Sequence, residues 1–158
     1  MLTIEELTEI FPRDGRLEWI GLRPERYAPL AVVESVNVLV SGLQGDHREK
    51  GGARAVTLIQ HEHLPAVAAL AGRDAVDPAL LRRNLAVSGI NVSALKGRLF
   101  RIGGALLKGT ETCAPCSRME EVLGAGGYNA MRGHGGLCAA VVEAGPIRVG
   151  DKVNVVTE

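Results

Sequence analysis

Glycine constrains this chain more than any other residue: 20 of its 158 positions carry it, about 13% against a usual ~7%. Lacking a Cβ, glycine takes up left-handed turns and lets one backbone approach another closely. Many of these glycines act as punctuation. Gly89, Gly97, Gly103-Gly104, Gly145-Pro146 and Gly150-Asp151 separate short apolar runs at residues 85–87, 98–102, 105–108, 137–143 and 152–155. Short strands at close spacing, bounded by turn signals, predict a compact, partly closed β-barrel with one or two covering helices. With seven prolines and 23% charged residues, the chain is neither collagen-like nor disordered.

Helical signals are few. Residues 2–10 are amphipathic, and Thr3 with Glu6 three residues on has capping-box spacing; Pro12 then stops the run. Residues 60–71 show helical spacing at Leu64, Val67, Ala68 and Ala71 and end at Gly72. Residues 78–83 predict one helical turn, and residues 117–123 a short helix. Further strands are expected at residues 17–22, 30–40 and 55–59, with a surface loop at 23–29 and a long glycine loop at 41–54. The fold class expected is therefore α+β and β-rich. At this length one domain is expected, able to bury about two-thirds of its unfolded surface.

Charge excludes some functions. Eighteen basic residues balance eighteen acidic ones, which removes the general electrostatic case for nucleic acid. The lysines are scattered; arginine is the main cation, and its planar fork suits small anions. No run approaches 18 apolar residues, and no leader pattern is visible, so a membrane span is not expected. Three cysteines without a leader predict reduced thiols in a cytoplasm.

Four segments can carry chemistry. Cys113-Ala-Pro-Cys116 can hold a zinc ion, cycle as a dithiol, or place one thiolate at a helix start, where the dipole and Arg118 lower its pKa; small buried thiols are the plain alternative. A zinc site would need two further ligands, and His134 and Cys138 are available. Gly42-Leu-Gln-Gly45-Asp46-His47, followed by Gly51-Gly52-Ala53-Arg54, can wrap an anion, or be a solvated loop. Arg82-Arg83-Asn84 at a strand entry can read a phosphate and a heterocycle edge, or be an exposed helix end. The stretch 126–136 is glycine-rich and presents Arg132 and His134, as a binding segment, a lid or a plain connection. His61 and His63 are expected to be solvated at a helix start.

In order, SGLQGDH with GGARAVTLIQ, RRNLAVSGINVSALKGRLFRIGGALL and TETCAPCSRM resemble the MOSC domain, found at the C-terminus of molybdenum-cofactor sulfurases and as free-standing proteins. The resemblance runs from about residue 32 to 155, leaving residues 1–29 as an N-terminal extension. It implies a barrel-like β-rich core and one signature cysteine, which matches Cys116. It also implies a molybdopterin-type cofactor with the cysteine sulfur on the metal, or a persulfide carried on that cysteine. Arg82 and Asn84 match an Arg-x-Asn that helps hold the pterin in cofactor-binding relatives.

The expectation that follows is a free-standing protein whose Cys116 ligates metal or carries sulfur, with Cys113 as a neighbouring thiol. Asp46, His47 and Arg54 line the same pocket and Arg132 and His134 its lid, so that half the glycines shape one anion-accepting pocket. A reductase of N-hydroxylated compounds would need a separate electron-transfer protein; a sulfur-relay module would need a sulfur donor. The chain is too short for the pyridoxal-phosphate domain of the sulfurases, so that cofactor is not expected. The alternative of a different class is a structural zinc site at Cys113, Cys116, His134 and Cys138.

Overall fold

The computed structural model describes residues 1–47 and 50–157; residues 48 and 49, within the expected glycine loop 41–54, lie outside the described residues. In chain order the elements are α1 (Ile4–Leu7), β1 (Gly15–Leu22), β2 (Ala31–Val33), β3 (Ser35–Leu39), β4 (Gly42–Leu43), β5 (Val56–Gln60) and α2 (His63–Leu70). Then come β6 (Leu85–Ser88), β7 (Leu99–Ile102), β8 (Ala105–Thr112), α3 (Arg118–Leu123), α4 (Gly127–Met131), β9 (Leu137–Glu143), β10 (Gly145–Arg148) and β11 (Lys152–Val155). Three single-turn 3-10 helices, Gly52–Arg54, Pro78–Leu81 and Val92–Leu95, join them.

The main sheet runs β11-β7-β8-β9-β5-β6-β1 and then closes, because β1 also pairs with β11 through Gly15 opposite Val153. Seven strands thus form a complete barrel, where the sequence predicted a partly closed one. β1 serves two neighbours along one edge, and along the other its pairing with β6 shifts register between Leu17 and Trp19. Its start pairs with β11 and its end with β2. β1 falls within residues 1–29, so part of that segment is barrel wall.

Two clusters account for the core. Leu17, Leu58, Leu85, Val87, Phe100 and Ile102 belong to the larger one, inside the barrel. Ile59 and Ala86, their sequence neighbours on β5 and β6, belong to the second, with Leu64, Val67, Met119 and Met131 of the helices. Alternation along a strand sends successive side chains to opposite faces. β5 and β6 are therefore buried on both faces, and they are the parallel pair, joined through α2.

Several expectations change in detail. The capping box of α1 forms, with Glu6 N–H donating to Thr3 Oγ1 at 3.1 Å and Thr3 N–H to Glu6 Oε2 at 2.7 Å, but the helix is only four residues long. The expected strand 30–40 breaks at Glu34: β2 extends the barrel sheet, whereas β3 joins β10 and β4 in a second sheet. The expected strand 105–108 continues to Thr112, since Gly109 sits at a bulge against the Leu95 carbonyl rather than ending the strand. α4 replaces part of the expected glycine segment 126–136, because Ala130 and Met131 are buried there.

One polar group holds this wall together. Asn84 is 0% exposed. Its Oδ1 accepts from the Thr57 N–H and hydroxyl, each at 3.2 Å, and from Arg23 Nη2 at 3.3 Å. Its Nδ2 donates to the Gly21 carbonyl at 3.1 Å and to Asp46 Oδ1 at 3.2 Å. Asn84→Ala strips partners from several buried groups, each worth about 1–3 kcal/mol when left unpaired. A loss of about 3 kcal/mol is expected, which thermal unfolding reads as a fall of about 6–12 °C in Tm at this chain length.

Candidate functional site

Cys116 is exposed, in the stretch between the end of β8 and the start of α3, and it lines a cavity of about 360 Å³. Arg23, Arg26, Arg82, Arg83 and Arg118 converge on the same cavity from three parts of the chain, with His47 and Tyr27. No carboxylate lines it among the described residues. A larger cleft of about 820 Å³, between the α1 segment and the connection from β6 to β7, holds neither the thiol nor this concentration of cations.

Each arginine is held differently. Arg23 forms a two-pronged ion pair with the buried Asp46, Nη2 to Oδ2 at 3.0 Å and Nε to Oδ1 at 3.2 Å. Arg82 takes a left-handed backbone, φ 55°, and its guanidinium donates to the carbonyls of Ala28 at 2.6 Å and Glu25 at 3.4 Å. Burial, then the charges of Arg118 and Arg23, push the Arg82 guanidinium below its ordinary pKa. Arg83 is only 7% exposed. Its Nε donates to Gly135 O at 2.8 Å and its Nη1 to Leu81 O at 2.9 Å. Arg118 places its guanidinium 4.4 Å from the centre of the Tyr27 ring.

Two buried side-chain polar atoms lack a hydrogen-bond partner among the described residues: Arg83 Nη2 and Arg118 Nε. Both belong to this cavity. A buried donor without a partner is costly and rare in a folded chain. Here both donors belong to arginines that line one cation-rich cavity, and guanidinium is the side chain best suited to charge-assisted bonds with oxyanions. The two non-glycine residues with left-handed backbones among those described, Tyr27 (φ 68°) and Arg82, also both line it. Such conformations cost about 1–3 kcal/mol each and concentrate at functional sites.

The other expected site residues fall elsewhere. His47 does line the cavity; its Nδ1 lies 3.0 Å from the Arg23 carbonyl, to which it donates. Asp46 and Asn84 lie behind the cavity and orient Arg23 rather than line it. Arg54 is half-exposed and pairs with Glu111 at 3.6 Å. Arg132 is exposed beyond α4 and lines no part of the cavity. His134 meets His63 instead, Nδ1 to Nδ1 at 3.1 Å with the rings edge-on, so that one ring donates and the other accepts. Burial, and then the charge of His134, hold His63 below its ordinary pKa. His63 is thus a paired group, where solvation was expected.

Two further expectations are overturned. No three of the His, Cys, Asp and Glu side chains among the described residues gather as a metal site, so the zinc set Cys113, Cys116, His134 and Cys138 does not assemble. No glycine lines the arginine cavity either. The glycines build the backbone around it: Gly136, at φ 89°, runs so close to β5 that a Cβ there would overlap the Leu58 carbonyl. Tyr27, Arg26 and Arg23 were hidden in sequence inside what looked like a surface loop. The Arg-rich composition of residues 23–29 was the available signal.

Cys113 is buried beside Cys138 and apart from the cavity lining. Its backbone N–H bonds to Gly136 O at 2.9 Å, continuing the β8–β9 ladder. A hydrogen bond from the Cys138 thiol, with the nearby charges of Arg83 and Arg54, outweighs burial and draws the Cys113 thiol down from 9.0 to about 6. The same pairing pushes Cys138 up. Between pH 6 and 9 the unfolded chain therefore binds more protons at Cys113 than the folded one, and stability rises with pH. This contribution is complete above pH 9 and lost as pH falls through 6; above 9 the suppressed ionisation of Cys138 reverses the slope. Thermal unfolding across this range is expected to show the rise in the native protein and not in Cys113→Ser.

Solved structures share the fold. The YuaD protein of Bacillus subtilis superposes with a TM-score of 0.81 at 17% identity, covering 92% of this chain and 98% of its own. YiiM from Escherichia coli gives 0.70 at 21% identity, with 90% of this chain and 70% of that one covered. YiiM from Geobacillus stearothermophilus gives 0.74 at 18%, covering 90% and 75%. No curated protein matches. The family model described as MOSC domain matches residues 39–154, which take in every barrel strand but β1 together with Cys116, and the chain belongs to the MOSC domain family.

Proposed function

We propose that the arginine cavity binds a phosphate-bearing cofactor of the molybdopterin type, with Cys116 supplying sulfur to its metal. The observation that carries this reading is a cavity lined by five arginines and an exposed thiol, two of those arginines, Arg83 and Arg118, each keeping a buried guanidinium nitrogen without a partner among the described residues. The donor set fits such a group at both ends. Guanidinium forks match phosphate oxygens, and thiolate is a soft ligand suited to a heavy transition metal. A volume near 360 Å³ is within the range of small-molecule sites.

The chain's own residues have separable tasks. Arg83 and Arg118 bind the oxyanion. Arg23 is kept in place by Asp46 and Asn84, so its charge is fixed before the ligand arrives. His47 lines the same cavity, with its Nδ1 turned to the Arg23 carbonyl, and adds a further polar contact for a bound ligand. The metal, when bound, supplies two-electron chemistry that no side chain here provides. A reductase built this way draws its electrons from a separate protein.

The exposure of Cys116 favours a second reading, in which the thiol carries sulfur as a persulfide to a partner. Cys113, paired with Cys138, is then a supporting thiol rather than the one that releases the sulfur.

Protein purified from cells able to make the cofactor separates the two. Molybdenum near one per chain, lost in Cys116→Ser, supports cofactor binding. An intact-mass gain of one sulfur, with no molybdenum and lost in the same variant, supports the carrier. Neither signal would sink both. Arg118→Gln is expected to weaken retention of the cofactor about 10-fold, the value of one charge-assisted hydrogen bond, with Tm unchanged.

A further inference from the structure

Tyr27 stands at the rim of this cavity, 60% exposed, and its backbone is left-handed at φ 68°. Aromatic side chains seldom adopt that conformation without something to hold them there. Arg82 does the holding. Its guanidinium donates to the carbonyls of Glu25 and Ala28, which flank Tyr27 in the chain, and so pins the loop on both sides of the strained residue.

The ring has two cationic neighbours. The Arg118 guanidinium carbon lies 4.4 Å from the ring centre and that of Arg26 lies 5.0 Å away. Two like charges gathered at one point repel. The face of an aromatic ring is the negative part of its quadrupole, and it attracts a guanidinium. Tyr27 therefore offsets the repulsion and keeps both arginines at the rim.

We propose that Tyr27 is a positioning residue for oxyanion binding: its ring, fixed by Arg82, presents Arg26 and Arg118 as a pair to a dianionic phosphoryl group. The inference rests on the reading of the cavity as an anion site. It adds that the rim selects a doubly charged group, since a single carboxylate leaves one of the two guanidinium groups unmatched. The phenol hydroxyl takes no part; the ring face does.

Calorimetric titration of the full chain with inorganic pyrophosphate, at fixed low salt, tests this. Tyr27→Phe keeps the ring and is expected to bind within about twofold of the native protein. Tyr27→Leu keeps apolar bulk without the ring face, and binding is expected to weaken about fivefold. Tyr27→Gly, which relieves the backbone, is expected to bind as weakly as the leucine variant while its Tm does not fall. In an Arg118→Gln background the leucine substitution is expected to cost less, because the two residues act together. Native-like binding by Tyr27→Leu overturns the role of Tyr27 and leaves the anion site standing. An equal loss in Tyr27→Phe also overturns it, in favour of the hydroxyl. A native protein that binds no pyrophosphate overturns the anion site itself, and this inference with it.

Discussion

The amide of Asn84 joins β1, β5, β6 and the turn that carries Asp46, through five hydrogen bonds that saturate both of its ends. A buried amide is stabilising only when satisfied in this way. The wall of the barrel and the position of Arg23 depend on the same group. Its two neighbours divide the labour. Leu85 fills the barrel interior, and Arg83 lines the cavity. Arg83 precedes β6 and Leu85 opens it, so the chain passes from cavity lining to barrel interior within two residues, with Asn84 fixed between them.

Five arginines around one cavity pose an electrostatic problem that the chain solves one side chain at a time. Arg23 has a carboxylate, Arg82 and Arg83 have backbone carbonyls, and Arg118 and Arg26 have an aromatic face. Carbonyls and a ring face restrain a guanidinium without neutralising it. The positive potential therefore survives in a fixed geometry, and preorganisation of that kind is what the proposed anion site calls for.

Much of the barrel was legible in the sequence. Turn glycines and β-branched runs placed β6, β7, β9 and β11 within a residue or so, and the Thr3–Glu6 box marked α1. One strand end was misplaced because a glycine served close packing and did not end the strand. Gly109 lies within β8, whereas Gly136 does precede β9 as expected and also lets the backbone pass close to β5. Full closure depends on pairing between β1 and β11, strands more than a hundred residues apart, which no local pattern encodes. For the site, the thiol at Cys116, His47 and Arg82 were identifiable as polar residues in turn-rich segments. Arg83 was passed over for its neighbours, since adjacent residues on a strand entry look alike until the face each takes is known. Tyr27 and Arg26 were hidden because a cation–π contact with Arg118 spans some ninety residues of sequence.

Because the cavity lies outside a barrel whose interior is filled by side chains such as Phe100, Leu58 and Leu107, the two draw on largely separate sets of residues. The loop 23–29 and the turn at Cys116 can accumulate substitutions that alter what is bound without touching the interior packing. Such an arrangement partitions mutational risk: the wall sets the threshold for folding, and the rim is free to diversify. Asn84 is the point where that partition breaks down, and ligand preference there cannot be changed independently of the fold.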